Sequence, residues 1–190
     1  MNKGYTEGKN FVGIAFSDLE MAKGDIENCR FTNCSFPNSN LSEFNFLDCK
    51  FINCDLSMAK VNNTRLQSAT FKNCKLLGLI LSDCNKFLLS ANFEDCILNL
   101  SSFYKLKIKG TKFKNCNLRE VDFTETDLTG STFDNCDLAG ALFNNTLLEK
   151  VDFQTAYNFS IDPEINRIKK AKFSMTGIVG LLDKYNLEIR

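Results

Sequence analysis

The residues best equipped for chemistry in this chain are its nine cysteines. Six of them close a recurring phrase, Phe-x-(Asn/Asp)-Cys, ending at Cys34, Cys54, Cys74, Cys96, Cys116 and Cys136, so thiols return every 20 residues with one step of 22. Thiols at regular spacing can chelate a soft metal ion or exchange disulfides. Stacked one strand spacing apart, at about 4.8 Å, neighbours would fall within the roughly 4.4–6.8 Å span of disulfide Cα pairs. Their Cβ vectors would nevertheless run parallel, and Ala59, Ala69, Ala91, Ala141 and Thr146 hold the same phase elsewhere. The position therefore calls for a small residue, and the cysteines read as reduced core. With no histidine in the sequence, the commonest general base and metal ligand is missing. No catalytic residue, metal or cofactor is assigned, and the chain reads as non-enzymatic.

What positions the cysteines is a finer period of five. Large apolar residues run Ile26, Phe31, Phe36, Leu41, Phe46 and onward without error to Leu81, then resume after a two-residue slip as Leu88, Phe93, Leu98, Phe103 and onward to Phe153. A small residue sits two places before each, and residues two apart in extended chain share a face. Two places after each come residues such as Asn33, Asn53, Asn73, Gly130 and Gly140, the types that accept positive φ or bond their own backbone in turns. Each five is thus one side and one corner. The 20-residue super-period makes four sides a circuit, giving an all-β solenoid of square section.

The expected organisation is an N-terminal segment and cap over 1–23, a repeat body over 24–157 with its slip at 82–87, and a closing coil with a short C-terminal α-helix over 158–190. Phe11, Phe16 and Met21 extend the beat backwards, with Ile14 and Leu19 as oversized inward residues. Ser174 is placed to cap a helix from Met175 to Tyr185, with Ile178, Leu181, Leu182 and Tyr185 on one face, and the tail from Leu187 to Ile189 can pack alongside. No apolar run approaches ~18 residues and no signal-like start is present, so a cytoplasmic, non-membrane protein is expected.

Charges are balanced, 23 basic against 23 acidic. Lys105, Lys107, Lys109, Lys112, Lys114 and Arg119 form a basic run, a candidate phosphate-binding patch. Around a 20-residue coil, however, Lys105 stacks beside Glu125, Lys107 beside Asp127, Lys114 beside Asp134 and Lys72 beside Glu94. Most charges are thereby neutralised by a neighbour, nucleic acid is not the expected partner, and Glu120, Asp122 and Asp137 are left over.

Units such as Cys54-Asp55-Leu56-Ser57-Met58, Thr126-Asp127-Leu128-Thr129-Gly130 and Cys136-Asp137-Leu138-Ala139-Gly140 resemble the pentapeptide-repeat family over residues 24 to 157. That resemblance implies a right-handed quadrilateral β-helix. The slip and the C-terminal helix are most similar to the quinolone-resistance branch, whose members are dimeric bacterial rods that imitate duplex DNA and protect DNA gyrase or topoisomerase IV. It implies a homodimer seam at Ile178, Leu181, Leu182 and Tyr185. Outward carboxylates would replace phosphates, the candidates being Glu120, Asp122, Asp127, Asp137 and Asp152. The alternative expectation is a protein-interaction scaffold without DNA mimicry.

Overall fold

The computed structural model describes residues 4–18 and 23–188; the expected positions Leu19, Met21 and Ile189 lie outside them. Among the described residues, the short strands in chain order are β1 (Gly4–Glu7), β2 (Asn10–Val12), β3 (Gly24–Glu27), β4 (Arg30–Thr32), β5 (Asn45–Leu47) and β6 (Lys50–Ile52). They continue as β7 (Arg65–Gln67), β8 (Ala69–Lys72), β9 (Ala91–Glu94), β10 (Lys112–Lys114) and β11 (Thr132–Asp134). All pairing is parallel, and four columns of it define four faces. The first face is the seven-stranded sheet β2-β4-β6-β8-β9-β10-β11. The second is a ladder of single bridges from Ala15 through Ser35, Asp55, Lys75, Ile97, Asn117 and Asp137 to Tyr157. The third joins Asn40 to Lys60 and Ile80 to Ser102, Asp122 and Leu142. The fourth begins as the sheet β1-β3-β5-β7 and resumes as the bridges Lys107–Asp127–Leu147–Arg167.

The register follows the side-chain period, because a one-residue slip in an extended segment would turn every inward residue outward. Inside the first face, Phe11, Phe31, Phe51, Phe71, Phe93, Phe113, Phe133, Phe153 and Phe173 stack ring on ring, with centroids 4.9 to 5.4 Å apart. Phe103, Phe123 and Phe143 form a second stack at 5.1 and 5.3 Å that meets the first edge-on. These contacts add to area burial by about 0.5–1.5 kcal/mol per pair. Filling is nearly complete: a void of about 10 Å³ lies among Phe16, Phe31, Phe36, Phe44 and Phe51, with purely apolar walls.

Corners are built by one residue at positive φ, two places past each large residue. Asn and Gly supply most of them, but Glu43, Met58, Lys105, Glu120, Glu125 and Lys150 take the same conformation at φ 55° to 67°. The circuit imposes the corner on whatever residue occupies it. Asp83, two places past Leu81, is not such a corner and ends a 3-10 turn over Leu81–Asp83 where the slip begins.

At the slip the first face is continuous: β8 pairs directly with β9, Ala69 opposite Ala91. The extra residues are absorbed on the fourth face. There Asn85 bonds back to Thr64 and Ser90 to Leu66, each at 2.9 Å, while the segment between them bows outward. Leu88, expected to point inward, is exposed at φ 54°, and Leu89 packs against the core in its place. Phe87 is exposed with the Arg65 guanidinium 5.8 Å above its ring.

The expected C-terminal α-helix is not formed. Two 3-10 turns, Gly177–Leu181 and Asp183–Tyr185, replace it. The cause is the close seat on the last coil: the Gly180 carbonyl accepts from Ile161 N at 2.9 Å, and a Cβ on Gly180 would collide with the Phe159 carbonyl. Asn186 at φ 48° then ends the segment. No helix among the described residues is long and apolar enough to cross a membrane.

Candidate interaction surfaces

All nine cysteines are buried and unpaired. The column thiols from Cys34 to Cys116 point at the carbonyl of the large residue one coil earlier: Cys54 Sγ to Phe31 O at 3.4 Å, Cys74 to Phe51 at 3.4 Å, Cys96 to Phe71 at 3.4 Å. Hydroxyls do the same where they replace cysteine, as Thr64 on Leu41 at 2.7 Å and Thr126 on Phe103 at 2.8 Å. The position therefore takes a small inward residue, alanine included, and where that residue is Cys or Thr it also donates to the coil before. Burial pushes the Cys49 and Cys84 thiols up to about 12. In the column, contact with the neighbouring thiol and burial raise Cys54 and Cys136, and neighbouring thiols lead the rise at Cys96. Cys74 and Cys116, each flanked by a thiol above and below in the column, are drawn the other way. A thiolate at either would sit in the apolar core without a buried cation, so burial governs and the column holds its protons at neutral pH. Among the described residues no group of three or more potential ligands is placed to hold a metal ion.

The five candidate acids do not meet. Asp152 lies on the first face, Asp137 on the second, Asp122 on the third, Asp127 on the fourth, and Glu120 at the corner between the second and third. The four aspartates share one local task, accepting the backbone N–H two residues on: Asp122 from Thr124 at 2.9 Å, Asp127 from Thr129 at 3.1 Å, Asp137 from Ala139 at 3.1 Å and Asp152 from Gln154 at 3.0 Å. Each caps its own corner as an Asx turn. Asp127 shows the electrostatics. Partial burial pushes its carboxyl up, but the Thr129 hydroxyl and amide and the Lys109 ammonium at 3.2 Å hold it below the usual range. Among the described residues, the Glu120 side chain alone of the five makes no hydrogen bond or ion pair, while its backbone N–H bonds Ala139 O at 2.9 Å.

Ion pairs run along the stack, with revised partners. Lys72 and Lys114 both reach Glu94, at 3.2 and 3.5 Å, and Lys105 reaches Glu125 at 3.4 Å as expected. Lys109 rather than Lys107 holds Asp127, because the Asx cap turns the second carboxylate oxygen that way. Asp134, expected opposite Lys114, accepts from the Thr155 hydroxyl at 3.0 Å. Asp137, expected unpaired, takes Arg119 at 3.6 Å and Asn158 at 2.9 Å. The basic run winds around the rod: Lys107 and Lys109 on the fourth face, Lys112 and Lys114 on the first, Arg119 on the second. It forms no patch.

The C-terminal seam residues divide. Leu181 packs against the core and Leu182 is half-buried, while Ile178 and Tyr185 are exposed. Tyr185 donates to Glu164 at 2.9 Å, and Lys184 clasps Asp162 at 2.8 Å and Glu164 at 2.7 Å. This segment is a lid on the last coil.

Two surfaces escaped the linear reading because their members are a coil apart. On the fourth face Tyr5 donates to Glu7 at 2.8 Å and to Glu27 at 3.3 Å, beside Asp25. The hydrogen bond to Glu7, desolvation and the Glu27 charge push its phenol up to about 12. On the edge between the second and third faces, Met58, Leu77, Ile80, Ile97 and Leu100 are exposed side by side. The signal was present as apolar residues at outward phases of the five.

A model of the pentapeptide repeat region matches residues 24–87 and 86–153, meeting at the slip. No curated protein matches the sequence. The solved structure of trypsin-treated QnrB1, a plasmid-mediated fluoroquinolone resistance protein, is similar at TM-score 0.58 and 17% identity, covering 95% of this chain and 98% of that one. Full-length QnrB1 is similar at TM-score 0.53 and 18% identity, covering 97% and 100%. With the family model spanning most of the chain and the four-sided parallel coil behind it, the protein belongs to the pentapeptide-repeat family.

Proposed function

We propose that this chain is a non-catalytic binding rod, an interaction scaffold that meets a protein partner through its outer faces. The observation that carries this reading is the distribution of charge. The acids sit on all four faces, most are tied to a neighbouring cation or to their own corner, and the formal net charge is zero. Such a surface projects no long-range field, whereas the core is closed and filled by phenylalanine and leucine. Partner recognition then rests on shape and on local apolar and ionic patches.

The narrower reading is a DNA mimic that occupies the DNA site of gyrase or topoisomerase IV. Likeness in length and coil to QnrB1 favours it. Right-handed winding, a cytoplasmic bacterial setting and a homodimer seam at Ile178 and Tyr185 belong to that reading. The test is a DNA gyrase supercoiling assay, with and without a fluoroquinolone, titrated with the purified chain. Inhibition or drug protection that is lost in Glu120→Lys and Asp152→Lys establishes mimicry. No effect from the folded chain leaves the scaffold reading in place.

A further inference from the structure

We propose that the first face, from β4 to β10, is a docking groove for an extended acidic segment of a partner protein. The inference rests on the scaffold reading and deepens it by giving one face a partner of stated chemistry. Along these strands the residues beside each inward phenylalanine point outward. They hold five cations, Arg30, Lys50, Lys72, Lys112 and Lys114, against one carboxylate, Glu94. Only Lys112 and Lys114 belong to the linear basic run. The parallel register brings the other three onto their face from two to four coils away.

The groove offers donors and has spent its acceptors. Between Lys50 and Lys112 the outward residues shorten to Thr70 and Asn92, which floor a shallow open depression. Glu94 on its rim is taken by Lys72 at 3.2 Å and Lys114 at 3.5 Å. Asn92 Oδ1 accepts from Lys112 N at 2.9 Å, which leaves the amide N–H groups to donate. Among the described residues no ion pair engages Arg30, Lys50 or Lys112. Asp48 and Asp95 stand at the flanking corners, outside the lining of the depression. Free ammoniums, a guanidinium and an amide over a neutral floor select an anion.

The length of the array selects the kind of anion. Arg30 and Lys112 are four strand spacings apart, about 19 Å, too far to converge on one compact anion such as phosphate. A linear polyanion spans them. An extended peptide covers that distance in about six residues, with acidic side chains at alternate positions on one face. Single-stranded nucleic acid is long enough too, but it is held through bases stacked on aromatic side chains. None of the outward residues from β4 to β10 is aromatic. The acidic peptide is therefore the ligand that this face fits.

The test is fluorescence anisotropy of the full chain with a labelled peptide of about eight residues alternating Glu and Thr, beside the same peptide with Gln for Glu. The Glu peptide is expected to bind and to weaken as ionic strength rises from ~0.01 M to ~0.15 M, and the Gln peptide is expected not to bind. Lys50→Glu combined with Lys112→Glu should weaken binding by about tenfold or more, whereas Lys50→Arg with Lys112→Arg should retain it, all variants being checked for folding by circular dichroism. Lys75→Glu with Lys107→Glu, on the second and fourth faces, makes the same change of net charge and should leave the affinity unchanged. The proposal is overturned by no binding of the Glu peptide up to about 1 mM, by equal weakening in the Lys75 and Lys107 variant, or by tighter binding of a thymidine oligonucleotide of matched charge. Such a failure strikes this face alone and leaves the scaffold reading to the other faces. The gyrase assay, read through Glu120 and Asp152, tests the scaffold reading separately.

Discussion

The thiol of Cys116 lies 3.5 Å from the carbonyl oxygen of Phe93, one coil below, and repeats the contact that Thr126 makes to Phe103 at 2.8 Å. The two residue types are thus alternative donors at one architectural position. Cys116→Thr is expected to change stability by less than about 1 kcal/mol, while Cys116→Ala, losing the donor and some packing, costs about 1 kcal/mol. Chemical denaturation of the two variants checks the difference. In the native fold none of the nine buried thiols should react with a thiol reagent until unfolding, and added zinc should leave the melting temperature unmoved.

Phe113 stands mid-column between Phe93 at 5.2 Å and Phe133 at 4.9 Å. Its ring touches neighbours above, below and edge-on, so Phe113→Ala should cost about 3–5 kcal/mol. Phe11→Ala, at the end of the column with Phe31 as its stacked neighbour, should cost clearly less. In a solenoid each coil contacts only its neighbours, so hydrogen exchange should show the Phe11 variant fraying locally and the Phe113 variant loosening both adjoining coils.

Much of this architecture was legible in the residues. The five-residue beat placed Phe31 through Phe153 inward, and the corner types at Asn33 or Gly130 announced positive φ, because both are local consequences of side-chain size and backbone freedom. Leu88 was misplaced because the beat cannot say which residue of Phe87-Leu88-Leu89 turns inward once two extra residues must be absorbed. The C-terminal helix failed for a tertiary reason, the close approach of Gly180 to Phe159. The candidate acids carry a second reason to recur: Asp122, Asp127, Asp137 and Asp152 each cap a corner, and only the coiled chain shows that they lie on four different faces. The strip from Met58 to Leu100 went unread because its members join only after the chain is coiled.

Gly130 and Lys150 occupy equivalent corners a coil apart, at φ 72° and 59°. Around Gly130 a Cβ would meet nothing within 4 Å, so Gly130→Ala isolates the backbone cost and should destabilise by about 1–2 kcal/mol. The reverse change, Lys150→Gly, relieves that strain and should raise the melting temperature, offset in part by the added freedom of the unfolded chain. Opposite signs in thermal melts of the two variants are the expected outcome, and equal signs would show that the corner is not under strain.

Lys184 holds the C-terminal lid to the last coil through Asp162 and Glu164. Its hydrogen bonds keep both carboxyls below their ordinary range, and theirs keep its ammonium above. For a carboxyl depressed on folding, the stabilisation is present above the unfolded value, near 4, and is lost as pH falls through the folded one. The raised lysine works in the other direction, losing its contribution only as pH rises past the ordinary lysine range. The lid should therefore stay closed from about pH 5 to pH 9 and open on acidification below about pH 4, ahead of the body, which the Phe stacks hold together and where Asp127 is a depressed carboxyl at one corner. Hydrogen exchange of residues 177–186 as a function of pH measures this directly. In Lys184→Met the acid-dependent step should vanish and the lid amides should exchange fast throughout. If the wild-type lid and body lose protection together, the clasp is not what closes the coil.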